Sequence, residues 1–138
     1  MTGKPCVFCS IARGETTAHV VLDDAVALAF LDVKPLFHGH VLVVPRAHVV
    51  TLPDMGAEDV GPLFTRVQRL ARAVTAATGA QGSFVAMNNV VSQSVPHLHV
   101  HVVPRTKGDG LKGFFWPRTT YASDAAMAET AAKIRSAL

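Results

Sequence analysis

Three histidines at every second position make one stretch of this chain the strongest candidate for chemistry. His97, His99 and His101 alternate with apolar residues in a run flanked by Pro96 and Pro104. Alternation with period two is typical of a half-buried β-strand, in which successive side chains point to opposite faces. Since neither proline can donate to an interior ladder, we expect the two prolines to mark the strand ends. The pattern therefore predicts a strand with three imidazoles on one face.

Neutral imidazole can attack phosphorus or an acyl carbon, because its reference pKa of about 6.5 leaves it mostly unprotonated at pH 7. Such a nucleophile forms a covalent intermediate and needs an orienting hydrogen bond on its other ring nitrogen. It also needs donors for the charge that develops on the transferred group. His99 has an imidazole on either side and is the natural attacker, with a flanking histidine, Gln93 and Ser94 as donors.

Cys6 and Cys9 are the only two cysteines and have C-x-x-C spacing. A redox motif of this spacing belongs in a βαβ pattern, which the sequence lacks, so half of a zinc site is the favoured interpretation. Structural zinc needs four nitrogen or sulfur ligands. Strand residues two apart are separated by about 6.6 Å, so the three strand histidines cannot easily share one ion. One strand histidine and His48 would complete the set, which leaves two strand histidines and His40 for chemistry.

The composition is that of one globular domain without a strong charge bias. The 138 residues are 49% apolar and 17% charged, with a net charge of +3. This mild charge is compatible with an anionic small substrate and gives no argument for a nucleic-acid partner. No run approaches the roughly 20 apolar residues of a membrane span, and the first residues lack the apolar core of a signal peptide. We therefore expect a cytoplasmic protein.

The remaining patterns predict the elements that position these residues. Apolar runs bounded by turn residues predict four further strands, over residues 20–23, 26–31, 39–45 and 83–88. Helical spacing predicts a short N-terminal turn, a long helix and a last helix, over residues 10–14, 55–78 and 124–138. Asp54 and Ser123 are the expected N-caps, and Gly79 the expected stop. The last helix has an apolar stripe, formed by Met127, Ala131, Ile134 and Leu138. This order predicts a single α+β domain with an antiparallel sheet.

The histidine run resembles the motif of the histidine-triad (HIT) family of nucleotide hydrolases and transferases. Residues 97–103 fit the family pattern H-φ-H-φ-H-φ-φ in full, and residues 6–11 look like its N-terminal C-x-F-C-x-I. Further similar segments are residues 30–35, 39–48 and 93–96. The resemblance covers about residues 5–105, and residues 106–138 add an aromatic segment and a helix.

The resemblance implies a five-stranded antiparallel sheet with one long helix, a short N-terminal helix and a C-terminal helix. Members are usually homodimers that meet through the long helix and the strand before the triad. The implied activity is cleavage of nucleoside 5′-phosphoramidates or related adenylates through a nucleotidyl-histidine intermediate. The implied ligand is a purine nucleotide of the AMP type.

By resemblance, His99 would be the nucleophile, while His101 and His40 would orient it and contact phosphate. Gln93 and Ser94 would contact the phosphate and the bridging atom of the scissile bond. The nucleoside would lie against Phe30, Leu31, Asp32, Leu42 and Asn88, with Asp32 at the ribose hydroxyls and Ile11 as a further wall residue. In the zinc-carrying bacterial-type branch, the ligands would be Cys6, Cys9, His48 and His97.

Two departures from the family pattern stand out. The loop at residues 89–93 is short, and Ser92 stands where many relatives have glycine. Trp116 lies outside the shared core and is a candidate for the leaving-group side of the pocket, for packing or for a dimer contact. Alternative functions are a dinucleoside-polyphosphate hydrolase, a nucleotidyl transferase or phosphorylase, a nucleotide-binding signalling protein with incidental hydrolysis, and a zinc-binding structural module.

Overall fold

A single antiparallel sheet with three helices forms the protein, which we describe from a computed structural model over residues 5–112 and 117–138. The strands are β1 (Val20–Asp23), β2 (Ala27–Leu31), β3 (Val41–Pro45), β4 (Gly82–Ala86) and β5 (Val100–Arg105). The helices are α1 (Val7–Ala12), α2 (Ala57–Thr78) and α3 (Asp124–Ala137). The strand order is β1-β2-β3-β5-β4. The predicted five-stranded α+β fold is confirmed.

Both faces of the sheet are covered, because alternate strand residues enter two different hydrophobic clusters. In β2 and β3, odd-numbered residues such as Ala29 and Val43 pack against the apolar face of α2. Even-numbered residues such as Phe30 and Leu42 pack with Phe8 of α1. A strand buried on both faces needs a continuous apolar run, which explains the sequence of β3.

Two predicted boundaries are wrong for identifiable reasons. Helix α2 begins at Ala57 with Gly56 as its N-cap, because Asp54 closes a preceding 3₁₀ turn (Leu52–Asp54) and accepts a hydrogen bond from the Thr51 hydroxyl at 2.6 Å. Pro104 lies inside β5, opposite Ser83 of β4. β3 pairs with β5 only as far as Val102, so no ladder bond to β3 is lost at the proline.

The other ends shift by a few residues. α1 begins at Val7 rather than residue 10, β3 begins at Val41, and β4 runs from Gly82 to Ala86. The histidine strand proper begins only at Val100. The first two triad histidines therefore lie in the segment that leads into β5.

Gly39 sets the entry of the chain into β3. Its φ of +102° lies in the region that favours glycine, and a Cβ there would lie 2.6 Å from the Thr78 Cγ2 atom at the end of α2. A side chain at this position would push the neighbouring His40 away from its place. The glycine thus couples the end of the long helix to the position of one imidazole.

Helix α3 carries its predicted stripe on a solvent-exposed surface. It is capped by Ser123 as predicted, but it contains no buried residue, and Met127 and Ile134 are 49% and 61% exposed. The predicted aromatic role of Trp116 lies outside the described residues. Within the described ranges, no helix combines the length and hydropathy needed to cross a membrane.

Candidate functional site

The candidate site lies on the α1 face of the sheet, where the histidine segment passes Phe8. This phenylalanine is buried, and its ring centroid lies 5.8 Å from that of His97 and 5.2 Å from that of His99. It also packs on Phe30 at 5.4 Å. The Phe8 ring therefore packs against two triad histidines, and each of these belongs to a different cluster of side chains.

The first cluster contains the four predicted metal ligands. One potential ligand atom from each of Cys6, Cys9, His48 and His97 lies within 4.8 Å of all the others. The Cys9 sulfur is 3.2 Å from His48 Nδ1 and 3.5 Å from His97 Nδ1, and the Cys6 sulfur is 3.4 Å from His97 Nδ1. Donor atoms around one tetrahedral zinc ion are roughly 3.3–3.8 Å apart, so the spacing fits such an ion.

Local structure brings the two thiols together. Cys6 is the N-cap of α1, and its sulfur accepts a hydrogen bond from the Cys9 backbone N–H at 3.4 Å. One helical turn then places both sulfurs on the side that faces the histidines. Arg46, which follows β3, donates to the carbonyl of Ala12 at 3.2 Å and ties the end of α1 to the sheet.

The protonation of this cluster also suits a metal. His97 Nε2 lies 2.8 Å from the carbonyl oxygen of Pro45. A carbonyl can only accept, so Nε2 carries the proton and Nδ1 presents its lone pair to the thiols. Burial lowers the pKa of His97, which keeps the ring neutral. Burial and the adjacent Cys6 raise the pKa of Cys9, and a cation among these atoms would remove that penalty.

His99 is held in the opposite tautomer. Its Nδ1 lies 2.8 Å from the backbone carbonyl of His97, so Nδ1–H donates and Nε2 keeps a free lone pair. The side chain is only 3% exposed, and its ring centroid lies 5.1 Å from that of His101. The orienting hydrogen bond that a nucleophilic imidazole requires is therefore supplied by the main chain two residues earlier.

A chain of donors fixes the third triad histidine. The backbone N–H of Leu36 donates to His40 Nδ1 at 3.0 Å, so His40 carries its proton on Nε2. That Nε2–H donates to His101 Nδ1 at 2.9 Å, which leaves His101 with a proton on Nε2. His101 therefore presents a hydrogen-bond donor next to the lone pair of His99.

Both members of this relay are neutral at pH 7. Burial lowers the pKa of His40, and the nearby Asp32 carboxylate opposes the shift only in part. Burial, with the adjacent His99 and His40, lowers the pKa of His101 to about 4. Each neutral ring has one donor and one acceptor nitrogen, as the hydrogen bonds described above require. Two protonated rings would both be donors and would repel each other.

Asp32, His40 and His101 form a second group close enough to hold a metal, with ligand atoms within 4.8 Å. The hydrogen-bond chain argues against that role. Because Leu36 N–H occupies His40 Nδ1, the nitrogen that faces the group carries a proton and has no lone pair to give. The Asp32 carboxylate lies 3.6 Å from this nitrogen and stabilises the same tautomer.

A cavity of about 310 Å³ opens beside His99 and His101. Its wall contains most of the residues that the family resemblance assigned to the nucleotide, namely Phe30, Leu31, Asp32, Leu42, Ser94 and Ile11. It also contains Phe8, Thr16 and Thr17 of the N-terminal segment. A second cavity of about 510 Å³ lies on the other side of His101 and is also bordered by Asp32, His40 and Asn88.

Gln93 lies apart from both cavity walls. Its side chain donates to the Val50 carbonyl at 2.6 Å and accepts from the Val90 N–H at 2.9 Å, which holds the loop before the triad. This loop carries left-handed backbone at Val90 (φ 70°) and Ser92 (φ 61°), a conformation that is unfavourable for residues with a Cβ. The Asn88 amide donates to the Ser92 carbonyl at 3.2 Å.

Three contributors to the site were not assigned roles from the sequence. Leu36 and Pro45 act through their backbone groups, which no side-chain pattern reveals. Phe8 acts by packing between two clusters, and the only signal for it is an apolar residue inside the C-x-x-C spacing. In contrast, His19 and His38 are exposed and belong to neither of the two histidine-containing groups.

Comparison with known proteins gives one consistent group of relatives. The profile of a protein family described as "HIT domain" matches residues 13–108. An uncharacterized HIT-like protein of Mycobacterium tuberculosis is 40% identical over 109 residues, which cover 78% of this chain and 76% of that protein. An adenosine 5′-monophosphoramidase of Schizosaccharomyces pombe is 32% identical over 81% of this chain and 83% of its own length. An adenylylsulfatase of Arabidopsis thaliana is 35% identical over 77% of this chain and 55% of the plant protein.

Comparison with solved structures identifies the same family fold. A member of the HIT family from Bacillus subtilis superposes with a TM-score of 0.87 and 29% identity, and the match covers 98% of both chains. A zinc-bound histidine triad family protein from Mycobacterium smegmatis has a TM-score of 0.73 and 36% identity, with 96% of this chain and 97% of that chain covered.

Proposed function

Because the chain belongs to the HIT family, we propose that it is a nucleotide hydrolase that cleaves nucleoside 5′-phosphoramidates or related adenylates through His99. One observation carries the proposal: the His97 carbonyl holds His99 Nδ1–H, so the lone pair of His99 Nε2 is available beside the 310 Å³ cavity. The named activities of the yeast and plant relatives support cleavage at the 5′-phosphorus of an adenosine nucleotide.

In the first step His99 Nε2 attacks phosphorus, and the bond from phosphorus to the leaving group breaks with its electron pair. A leaving amine takes a proton from solvent, and the nucleotide is held on an imidazolium whose Nδ1–H still donates to the His97 carbonyl. His101 Nε2–H, aligned by His40, donates to a phosphoryl oxygen as charge develops. Water then attacks phosphorus, and the bond to His99 Nε2 breaks and returns its electron pair to the ring. Nucleoside monophosphate leaves, and one proton from the water is released.

The walls of the smaller cavity fit a nucleoside of the AMP type. Phe30 and Leu42 offer flat apolar surface for the base, and Asp32 offers carboxylate oxygens for the ribose hydroxyls. Ser94 lies in the same wall and would contact the phosphate. Gln93 would reach the scissile bond only after it releases Val50 and Val90. Asn88 borders the larger cavity rather than this one.

The metal cluster would have a structural role. Cys6, Cys9, His48 and His97 would hold a zinc ion, which supplies a cross-link between α1, the end of β3 and the segment before β5. We further propose a cytoplasmic homodimer that meets at β4 and α2. β4 is an edge strand, and its Val85 is 42% exposed, so a partner strand would cover unpaired backbone groups.

The test is to trap the intermediate. Protein mixed with adenosine 5′-phosphoramidate and quenched within the first turnovers should carry one adenylyl group on His99, located by mass spectrometry. His38→Ala, which removes an exposed histidine that belongs to neither histidine-containing group, should leave the adduct in place. Micromolar AMP binding without turnover would instead support a nucleotide-binding signalling protein. Turnover that requires phosphate would support a phosphorylase.

A further inference from the structure

We propose that the 510 Å³ cavity on the far side of His101 holds the leaving group, and that it selects amines with an extended apolar body ending in an anion. This inference rests on the proposed hydrolase function. It concerns the part of the substrate that the nucleoside cavity does not contact. Three features of the cavity support it: its position, its size and the charge at its edge.

The position follows from the register of β4 and β5. Ala86 pairs with His101, and Phe84 pairs with Val103; all four border the cavity, whereas His99 does not. Phosphoryl transfer keeps the attacking and leaving atoms roughly in line with phosphorus between them. With His99 on one side of the phosphate and His101 beside it, the departing atom points toward the floor formed by Ala86 and Phe84.

The size of the cavity exceeds what a small leaving group requires. Ammonia would fill little of about 510 Å³, a volume in the range that holds drug-sized ligands. Half of the residues that border the cavity are apolar, and Leu36, Phe84 and Met87 are the large ones among them. Such a surface favours a leaving group with several methylene groups or a ring.

The charge at the edge comes from Lys34. It borders the cavity, and no salt bridge occupies its ammonium within the described residues. Asp32 also borders the cavity and keeps its negative charge, but its side chain is only 19% exposed and lies at the His40 end, 3.6 Å from that ring, whereas Lys34 is exposed. An anion at the distal end of the leaving group would therefore meet an exposed cation.

The experiment compares three adenosine 5′-phosphoramidates, made with n-propylamine, n-hexylamine and 6-aminohexanoate. These amines have similar reactivity and differ in length and terminal charge. We expect kcat/KM to rise by about tenfold from propyl to hexyl because of apolar burial. We expect a further rise of about threefold for the carboxylate, as for an exposed ion pair. Equal kcat/KM values would overturn the inference and leave the hydrolase proposal intact, whereas no turnover of any substrate would overturn both.

Two pairs of variants locate the effect. Ala86→Leu fills the cavity and should remove the preference for hexylamine. Ala125→Leu, the same enlargement at an exposed position of α3, should retain it. Lys34→Gln should remove the advantage of the carboxylate, while Lys133→Gln on α3 should not. If Ala86→Leu weakened AMP binding as much as it lowered turnover, the cavity would hold the nucleoside instead and the inference would be wrong.

Discussion

The metal-type cluster and the histidine relay are built from the same residue type, yet they present opposite chemistry. In the cluster of Cys6, Cys9, His48 and His97, lone pairs converge on one point. In the relay from Leu36 through His40 to His101, every lone pair is met by a proton. Backbone groups make the difference, because they decide which ring nitrogen carries the hydrogen. The presence of a histidine therefore does not determine the chemistry of its site. The backbone groups that bind its ring nitrogens do.

The largest effect should come from His99→Ala. Loss of the nucleophile should lower kcat/KM for adenosine 5′-phosphoramidate by at least about a thousandfold. AMP affinity, measured by calorimetry, should change by only a few-fold because the cavity walls remain. Full turnover in this variant, together with complete loss in His101→Ala, would show that the attacker is His101.

His97→Ala separates the two regions, because it removes one proposed metal ligand but keeps the carbonyl that orients His99. We expect zinc, measured by elemental analysis at about one ion per chain in the wild type, to be lost. Tm should fall by about 10 °C, since each kcal/mol shifts the Tm of a domain this size by roughly 3–4 °C. Turnover per folded molecule should persist at low temperature.

A matched substitution serves as its control. His19→Ala removes an exposed histidine that takes part in neither cluster, so it should change neither zinc content nor Tm. If His97→Ala kept its zinc and its Tm, the cluster would not be a structural metal site.

The relay can be broken at His40. His40→Leu removes the Nε2–H that holds His101, so kcat/KM should fall by about 10–100-fold, as for other orienting partners. His40→Gln retains an amide N–H at a similar distance and should recover part of the loss. Equal kcat/KM values for the two variants would show that the hydrogen bond to His101 does not contribute to turnover.

The smallest effect should appear in the pH dependence of stability. His101 has a pKa of about 4 in the folded protein against about 6.5 when unfolded. Its contribution is therefore complete above pH 6.5 and is lost as the pH falls toward 4. Chemical denaturation should show a slope of up to about 1.4 kcal/mol per pH unit for each proton taken up. His101→Gln should flatten this slope, and an unchanged slope would contradict the assignment.

The sequence predicted the fold and the grouping of side chains better than it predicted main-chain detail. Strand spacing indicated that the three histidines divide between two roles, and the family resemblance assigned His97 to the metal set. The structure brings Cys6, Cys9 and His48 around His97. The direction of each ring was not predictable, because it depends on the carbonyl of Pro45 and the N–H of Leu36, which carry no side-chain signal.

The segments that differ from prediction have local causes. Asp54 was a reasonable cap by residue type, but Pro53 and the Thr51 hydroxyl favour a separate turn before Gly56. Gln93 was assigned to the phosphate by resemblance, and the shortened loop instead uses its side chain to tie Val50 to Val90. Side-chain hydrogen bonds of this kind depend on tertiary contacts that a single sequence does not display.

His97 belongs to both regions, with its side chain in the metal-type cluster and its carbonyl on the nucleophile. Thermodynamic linkage then imposes a symmetry on the two ligands. Any factor by which zinc occupancy changes the affinity for AMP must equal the factor by which bound AMP changes the affinity for zinc. If zinc and AMP bind as proposed, His97 is the residue through which each could change the affinity for the other.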